Sequence, residues 1–179
     1  MSPIEIVRAK EEEIRGNRFE SAFAVDGAGR VLLDKRGERF HVGFTQSELD
    51  RLLGGRGVIF THSHPRGWDH SVGSPLHAGS SFSDTDVRFA CQVEVSEMRV
   101  VTPARRYFLR PSAGGWSLSL WDTFLEPSCI HHLADVRREY QKLVMQKRME
   151  PEEAGARTMH ETWTRVAAEL GLTYGREQE

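Results

Sequence analysis

The sequence predicts an α+β fold, and three observations support this class. The chain has 179 residues, the size of one domain, which can bury a core without disulfide or metal staples. Apolar runs of strand length alternate with helical segments over roughly residues 17–118. From residue 129 onward the periodicity is helical. We therefore expect an α+β body in residues 1–128, with a C-terminal helical pair in residues 129–179 packed on it.

Local signals define the elements of the N-terminal part. Ser2 followed by Pro3 is typical of a helix start, and Thr45 with Glu48 forms a capping-box pattern before a second helix. The Asp26–Gly29 segment has turn composition. The elements predicted in this part are a helix at 3–15, strands at 19–25, 30–34 and 39–44, and a short helix at 45–53.

The second half begins with an apolar strand that leads directly into His62. A loop rich in Gly, Ser and Pro follows, and Ser83 is placed to start the next helix. The elements predicted here are a strand at 57–61, a loop at 65–82, a helix at 83–95, strands at 98–102 and 106–110, an irregular segment at 111–128, and two helices. One of these helices has an apolar face formed by Ile130, Leu133, Val136, Tyr140 and Leu143, and the other by Met159, Trp163, Val166, Ala167 and Leu170.

Composition narrows the possible partners. The 24 basic and 26 acidic residues give a net charge of −2, which argues against a nucleic-acid partner. No run approaches the roughly 18 apolar residues of a membrane span, and we expect a cytoplasmic protein that does not enter a membrane. Two cysteines are too few for a disulfide framework.

Histidine is the residue that points to chemistry. Four of the eight histidines lie between residues 62 and 77, and His62 and His64 follow the buried strand. Side chains alternate along a strand, so these two imidazoles point to one side and can share a metal ion. Ser83 and Asp86 are three residues apart at a helix start and also share a face, so Asp86 can supply a third ligand.

Simpler interpretations of the same residues remain open. Ser-x-x-Asp is also a capping box, and Ser81 with Asp84 offers the same spacing in another register. Val87, which continues the apolar helix face, favours Ser83 with Asp86. Two histidines and one aspartate, with a fourth position open, are typical of a catalytic zinc site.

The order His-x-His-Pro, a loop, then Ser-x-x-Asp before an apolar residue resembles the signature of the JAMM/MPN (JAB-like) metalloproteases. The strand order from Glu20 to Thr61 is similar to the prokaryotic, RadC-like branch. The histidine and serine segments also resemble JAB-like domains of phage head proteins and bacterial toxins. The resemblance covers roughly residues 17–110. It implies a JAMM/MPN-like (cytidine-deaminase-like) mixed sheet flanked by helices.

The resemblance also implies an activity and a set of site residues. It implies a zinc-dependent hydrolase of peptide or isopeptide bonds whose substrate is a protein or peptide, with ubiquitin-like proteins among the candidate substrates. His62, His64 and Asp86 would bind Zn²⁺, and Ser83 would stabilise the oxyanion. Glu20 would be the general base for a zinc-bound water, with Glu38 and Glu48 as competitors for that role.

One departure concerns the long segment at 65–82. Its 18 residues between His64 and Ser83 exceed the family spacing. This segment could be a mobile flap over the site, a substrate-selecting loop, or the source of a fourth ligand from His70 or His77. Two alternative functions therefore stand beside the hydrolase: a non-catalytic MPN-like protein-binding module, and a metal-dependent phosphoesterase or nuclease.

Overall fold

A mixed six-stranded sheet flanked by helices forms the centre of the computed structural model, which describes residues 1–177. The strands are β1 (Ser21–Val25), β2 (Val31–Arg36), β3 (Ile59–Ser63), β4 (Glu97–Val101), β5 (Arg106–Arg110) and β6 (Thr173–Glu177). The helices are α1 (Pro3–Arg15), α2 (Gln46–Leu53), α3 (Asp84–Val93), α4 (Leu118–Leu120), α5 (Glu126–Met145) and α6 (Pro151–Leu170). The predicted α+β class is confirmed.

The sheet order is β2-β1-β3-β4-β5-β6. β3 and β4 are parallel, and all other neighbouring strands are antiparallel. The register places Ala22 of β1 and Val100 of β4 on either side of His62 in β3. The predicted histidine strand is therefore central, with its side chains supported by strands on both sides.

The two faces of the sheet pack against different helices. Alternate residues such as Ala22, Phe60 and Met98 form one core with side chains of α2, α3, α5 and α6. On the opposite face, Phe23 and Val25 pack against Val7 of α1. His62 has the same parity as Phe60, so it lies on the face covered by the larger set of helices.

The predicted strand at 39–44 is wrong. β2 is the outermost strand of the sheet, but residues 39–44 do not pair with its free edge. The chain instead turns after Arg36, where the Glu38 amide donates to the carbonyl oxygen of His41 at 2.8 Å. Val42 and Phe44 then pack onto the core from this connecting segment.

The C-terminal part also departs from the predicted elements. Residues 173–177 are not helical but form β6, which pairs antiparallel with β5. The predicted irregular segment at 111–128 contains α4, a π-helical turn (Trp121–Leu125) and the start of α5. Pro127 directly follows the π-helical turn, in which the Glu126 amide donates to the Trp121 carbonyl oxygen five residues back, so the helix is already irregular where the proline N–H is missing. The predicted boundary between residues 128 and 129 falls inside α5.

Candidate metal centre

Three side chains meet at the end of β3. Nε2 of His62 lies 3.0 Å from Nε2 of His64 and 3.1 Å from Oδ1 of Asp86, which belongs to the first turn of α3. Nε2 of His64 lies 3.3 Å from Oδ2 of Asp86. Within residues 1–177, these three form the group of His, Cys, Asp and Glu side chains that could hold a metal ion.

The spacing of these atoms fits a metal ion. A tetrahedral ion bound at about 2.0–2.1 Å holds its ligand atoms roughly 3.3 Å apart, close to the distances between these nitrogen and oxygen atoms. Two imidazole nitrogens without a proton between them would repel, and a shared cation removes that repulsion. The cluster could therefore hold a metal ion.

The contact on the far side of His64 selects the tautomer that a metal needs. Nδ1 of His64 lies 3.1 Å from the carbonyl oxygen of Ser80. A carbonyl oxygen can only accept, so Nδ1 carries a proton in this contact, and Nε2 is the nitrogen that faces the cluster and could bind a metal ion. Nδ1 of His62 is buried without a hydrogen-bond partner in the described part of the chain.

A capping box fixes the third side chain. The Ser83 amide donates to Oδ2 of Asp86 at 2.7 Å, and the Asp86 amide donates to Oγ of Ser83 at 3.2 Å. The capping interpretation of Ser-x-x-Asp is therefore confirmed. Because the same carboxylate also meets both histidines, the cap orients Asp86 toward the cluster.

The electrostatics of the cluster favour a cation between its members. Burial alone would raise the pKa of Asp86, but His62 and His64 hold that pKa well below its usual range. Burial likewise opposes charge on His64, yet its contact with Asp86 raises the pKa of His64 above its ordinary value. The carboxylate thus stays ionised beside two imidazoles.

Glu20 lines the same cleft as the cluster. It lies one residue before β1 and shares the parity of Ala22, whose register partner is His62. Its backbone is held by the Glu38 carbonyl oxygen, which accepts from the Glu20 amide at 2.8 Å. Burial raises the pKa of the Glu20 carboxyl, and the nearby His62 and His64 partly offset this effect.

The two competing glutamates lie elsewhere. The carboxylate of Glu48 accepts from Nζ of Lys35 at 2.8 Å and from the Thr45 amide at 2.7 Å, so it caps α2. The side chain of Glu38 is exposed, and its backbone carbonyl oxygen accepts from the Glu20 amide just before β1. Neither residue lines the cleft around the cluster.

The cleft has a volume of about 800 Å³ and largely apolar walls. Beside His62, the rings of Phe44, Phe60 and Phe89 lie 4.8–6.0 Å apart between centroids. α5 and α6 also contribute to the wall, through Ile130, Leu133 and Met159. A cleft of this size and character suits a short stretch of peptide or a molecule of similar size.

The long segment at 65–82 folds into two 3-10 turns, Pro65–Asp69 and Pro75–Ala78. His77 is buried, with Nδ1 3.0 Å from the Gly67 carbonyl oxygen and its ring against Trp68, whereas His70 is exposed. In the part of the chain that the structure describes, neither histidine joins the ligand cluster. A fourth coordination position is therefore left open by the protein.

Two supports of the site had no signal in the sequence. The Ser80 carbonyl oxygen that contacts His64 is a backbone atom, which any residue type could provide. The indole N–H of Trp163 donates to the Phe82 carbonyl oxygen at 2.8 Å, close to Ser83. The helical periodicity around Trp163 indicated only an apolar face.

Comparison with known proteins adds no relative. No family model matches the chain, and no similar curated protein or solved structure was found. No helix among residues 1–177 is both long enough and apolar enough to cross a membrane.

Proposed function

We propose that this protein is a zinc-dependent hydrolase of amide bonds, peptide or isopeptide, with a JAMM/MPN-like fold. The observation that carries the proposal is the meeting of His62, His64 and Asp86 at one point in an open cleft that Glu20 also lines. Three protein ligands with one open position are typical of catalytic rather than structural zinc sites.

The donor set favours zinc over the common alkaline-earth ions. Two imidazoles and one carboxylate suit zinc, whereas magnesium and calcium prefer oxygen ligands throughout. The same set also occurs around iron(II) in oxygenases, so the identity of the metal is part of the test. A zinc ion held here would supply a Lewis acid and lower the pKa of water toward about 7.

The chain's own residues then divide the remaining work. Glu20 takes a proton from the attacking water and delivers it to the leaving amine, a role for which a raised pKa brings the carboxyl closer to neutral pH. Oγ of Ser83 accepts from the Asp86 amide, which leaves the hydroxyl proton free to donate to the developing oxyanion.

The metal is tested first. Protein purified without chelators should contain one zinc ion per chain by elemental analysis, and His62→Ala and Asp86→Asn should lose it while remaining folded. One iron ion in place of zinc, or a wild type that takes up no metal, would contradict the proposal.

Activity is tested with short peptides and ubiquitin-like fusion proteins. Glu20→Gln should keep zinc and lower the rate by roughly 10²–10⁴-fold, because glutamine cannot accept a proton. Glu38→Gln, which alters a neighbouring exposed carboxylate, should cleave as fast as the wild type.

Equal rates for wild type and Glu20→Gln would contradict the mechanism. Cleavage of a phosphodiester but not of an amide would favour the phosphoesterase, and a metal-free, inert wild type would favour the binding module.

A further inference from the structure

The segment 80–83 supports two of the three proposed metal ligands. Its first residue, Ser80, provides the carbonyl oxygen that lies 3.1 Å from Nδ1 of His64. Its last residue, Ser83, exchanges two hydrogen bonds with Asp86, at 2.7 and 3.2 Å. A displacement of this short segment would therefore move the contacts that orient both ligands at once.

Helix α6 holds the middle of this segment through one hydrogen bond. Nε1 of Trp163 donates to the carbonyl oxygen of Phe82 at 2.8 Å. Both residues are completely buried, so no water can replace either partner. Leaving a buried donor or acceptor without a partner is costly, and the bond therefore fixes Phe82 relative to α6.

The chain just before this segment is anchored to Thr102, the residue that follows β4. Oγ1 of Thr102 donates to the Ala78 carbonyl oxygen at 2.6 Å. Gly79, the residue after Ala78, has a φ of +73°, and a Cβ added to it would lie 2.7 Å from Cβ of Thr102. The chain that leads to the ligands is thus held at Ala78 by Thr102 and at Phe82 by Trp163.

We propose that Trp163 is a positioning residue of the metal centre, so that α6, far away in sequence, completes the site. The inference rests on the proposed metal function. On this proposal α6 belongs to the metal site, because the indole N–H of Trp163 holds the 80–83 segment and this segment contacts His64 and Asp86.

The chain offers a matched control for this test. Trp163→Phe removes the indole N–H and keeps an aromatic ring. Trp116→Phe makes the same change at a buried tryptophan whose Nε1 has no hydrogen-bond partner among the described residues. In competition with a chromogenic chelator, Trp163→Phe should bind zinc more weakly than the wild type. Losing a contact made directly to a metal ligand costs about 10- to 100-fold in affinity, and the effect of Trp163, which acts through Phe82, should be at the lower end of that range. Trp116→Phe should bind zinc like the wild type.

The result that would overturn the proposal is equal zinc affinity in wild type, Trp163→Phe and Trp116→Phe. Should Trp163→Phe fail to fold, Thr102→Val removes the hydroxyl at the other anchor and is expected to weaken zinc binding in the same direction. A folded Thr102→Val variant with wild-type affinity would then overturn the proposal.

A second readout does not depend on metal. In the metal-free protein, the amides of Ser83 and Asp86 are held by the mutual hydrogen bonds of the capping box. Hydrogen exchange at these two amides should be faster in Trp163→Phe than in the wild type and in Trp116→Phe. If the wild type binds no zinc, the proposed function fails, and unchanged exchange rates at both amides in Trp163→Phe would separately overturn the positioning role.

Discussion

Ser83 and Asp86 have two functions in the same geometry. As a capping box they start α3, and as part of the cluster they bring the Asp86 carboxylate to both histidines. The two interpretations that the sequence left open are therefore compatible. A carboxylate held by its own helix cap loses little side-chain freedom when it binds an ion, because the rotamer is already fixed.

Ser83→Ala should separate stability from metal binding when compared with Thr45→Ala. Thr45 caps α2 with the same box, through Glu48, but lies outside the cleft. Each variant should lower the free energy of unfolding by about 0.5–2 kcal/mol, the usual contribution of a helix cap. Because the amide that donates to Oδ2 of Asp86 belongs to the backbone of Ser83, Ser83→Ala should bind zinc like Thr45→Ala and the wild type. Urea unfolding and zinc competition measure the two effects, and a zinc affinity weakened in Ser83→Ala alone would show that the hydroxyl, which accepts from the Asp86 amide, is needed to orient Asp86.

Sequence reasoning at this scale depends on side chains with a local signature. Strand alternation predicts that His62 and His64 point to the same side, and the helix-start signal at Ser83 predicts the face on which Asp86 lies. Glu20 could be placed only by the order of the elements. The Phe82 carbonyl and its donor Trp163 are 81 residues apart, and a backbone oxygen has no sequence pattern, so this support becomes visible only in the folded chain.

At the scale of elements, the failures have physical causes. The 39–44 segment has strand composition, but the chain turns between Glu38 and His41, and Val42 and Phe44 pack onto the core instead of extending along the free edge of β2. β6 is the opposite case, because its sequence Thr-Tyr-Gly-Arg-Glu is polar and contains glycine. Such a sequence has weak strand propensity, and it is recruited because β5 offers an unpaired edge.

Removing β6 should therefore destabilise the whole molecule. A chain that ends after Leu170 exposes the edge of β5 and loses Tyr174, whose ring stacks on Tyr107 with a centroid distance of 6.4 Å. We expect its melting temperature to fall by roughly 10 °C, the shift expected for about 3–5 kcal/mol in a domain of this size, together with aggregation through the exposed edge. The control chain, which ends after Glu177, should melt and elute like the wild type. Identical melting curves and elution profiles for both truncations would show that β6 contributes little.

The cap of α2 makes stability depend on pH in a defined window. Hydrogen bonds from Lys35 and the Thr45 amide lower the pKa of Glu48 to about 2 from an ordinary 4.5. Because the folded-state pKa is the lower one, the stabilisation is complete above about pH 4.5 and disappears as the pH falls toward 2. The wild type should melt above Glu48→Gln at neutral pH, and the difference should shrink below about pH 4.5 and vanish near pH 2. A difference independent of pH would indicate that Glu48 acts through packing instead.

At the scale of the whole molecule, a buried charge network lies on the sheet face opposite the metal centre. The guanidinium of Arg99 in β4 donates to Glu11 of α1 at 2.7 Å, to Glu97 at 2.6 Å and to Glu177 of β6 at 2.9 Å. Arg99 and Glu11 are both inaccessible to solvent. The network thus joins the first helix, a central strand and the last strand, and it closes the face that α1 covers.

Arg99→Met should test how strongly this network holds the fold together. The substitution removes the buried cation at the centre of the network and leaves Glu11 with Arg106 and Glu97 with Arg110. Removing one partner of a buried ion pair typically costs about 3–5 kcal/mol, and these remaining contacts place the expected loss at the lower end of that range. Arg165→Met is the surface control: Arg165 binds Glu139 through two hydrogen bonds of 2.9 and 2.7 Å and Glu161 through a third, and solvent-exposed ion pairs typically contribute about 1 kcal/mol or less each. Urea unfolding of both variants measures the difference, and equal losses would show that the buried network is no stronger than a surface pair.

Because His62 and Arg99 face opposite sides of the sheet, folded Arg99→Met protein should still bind zinc like the wild type. Trp163→Phe should give the reverse result, a weakened site in a folded chain, so that the two variants together distinguish residues that hold the fold from residues that hold the metal centre.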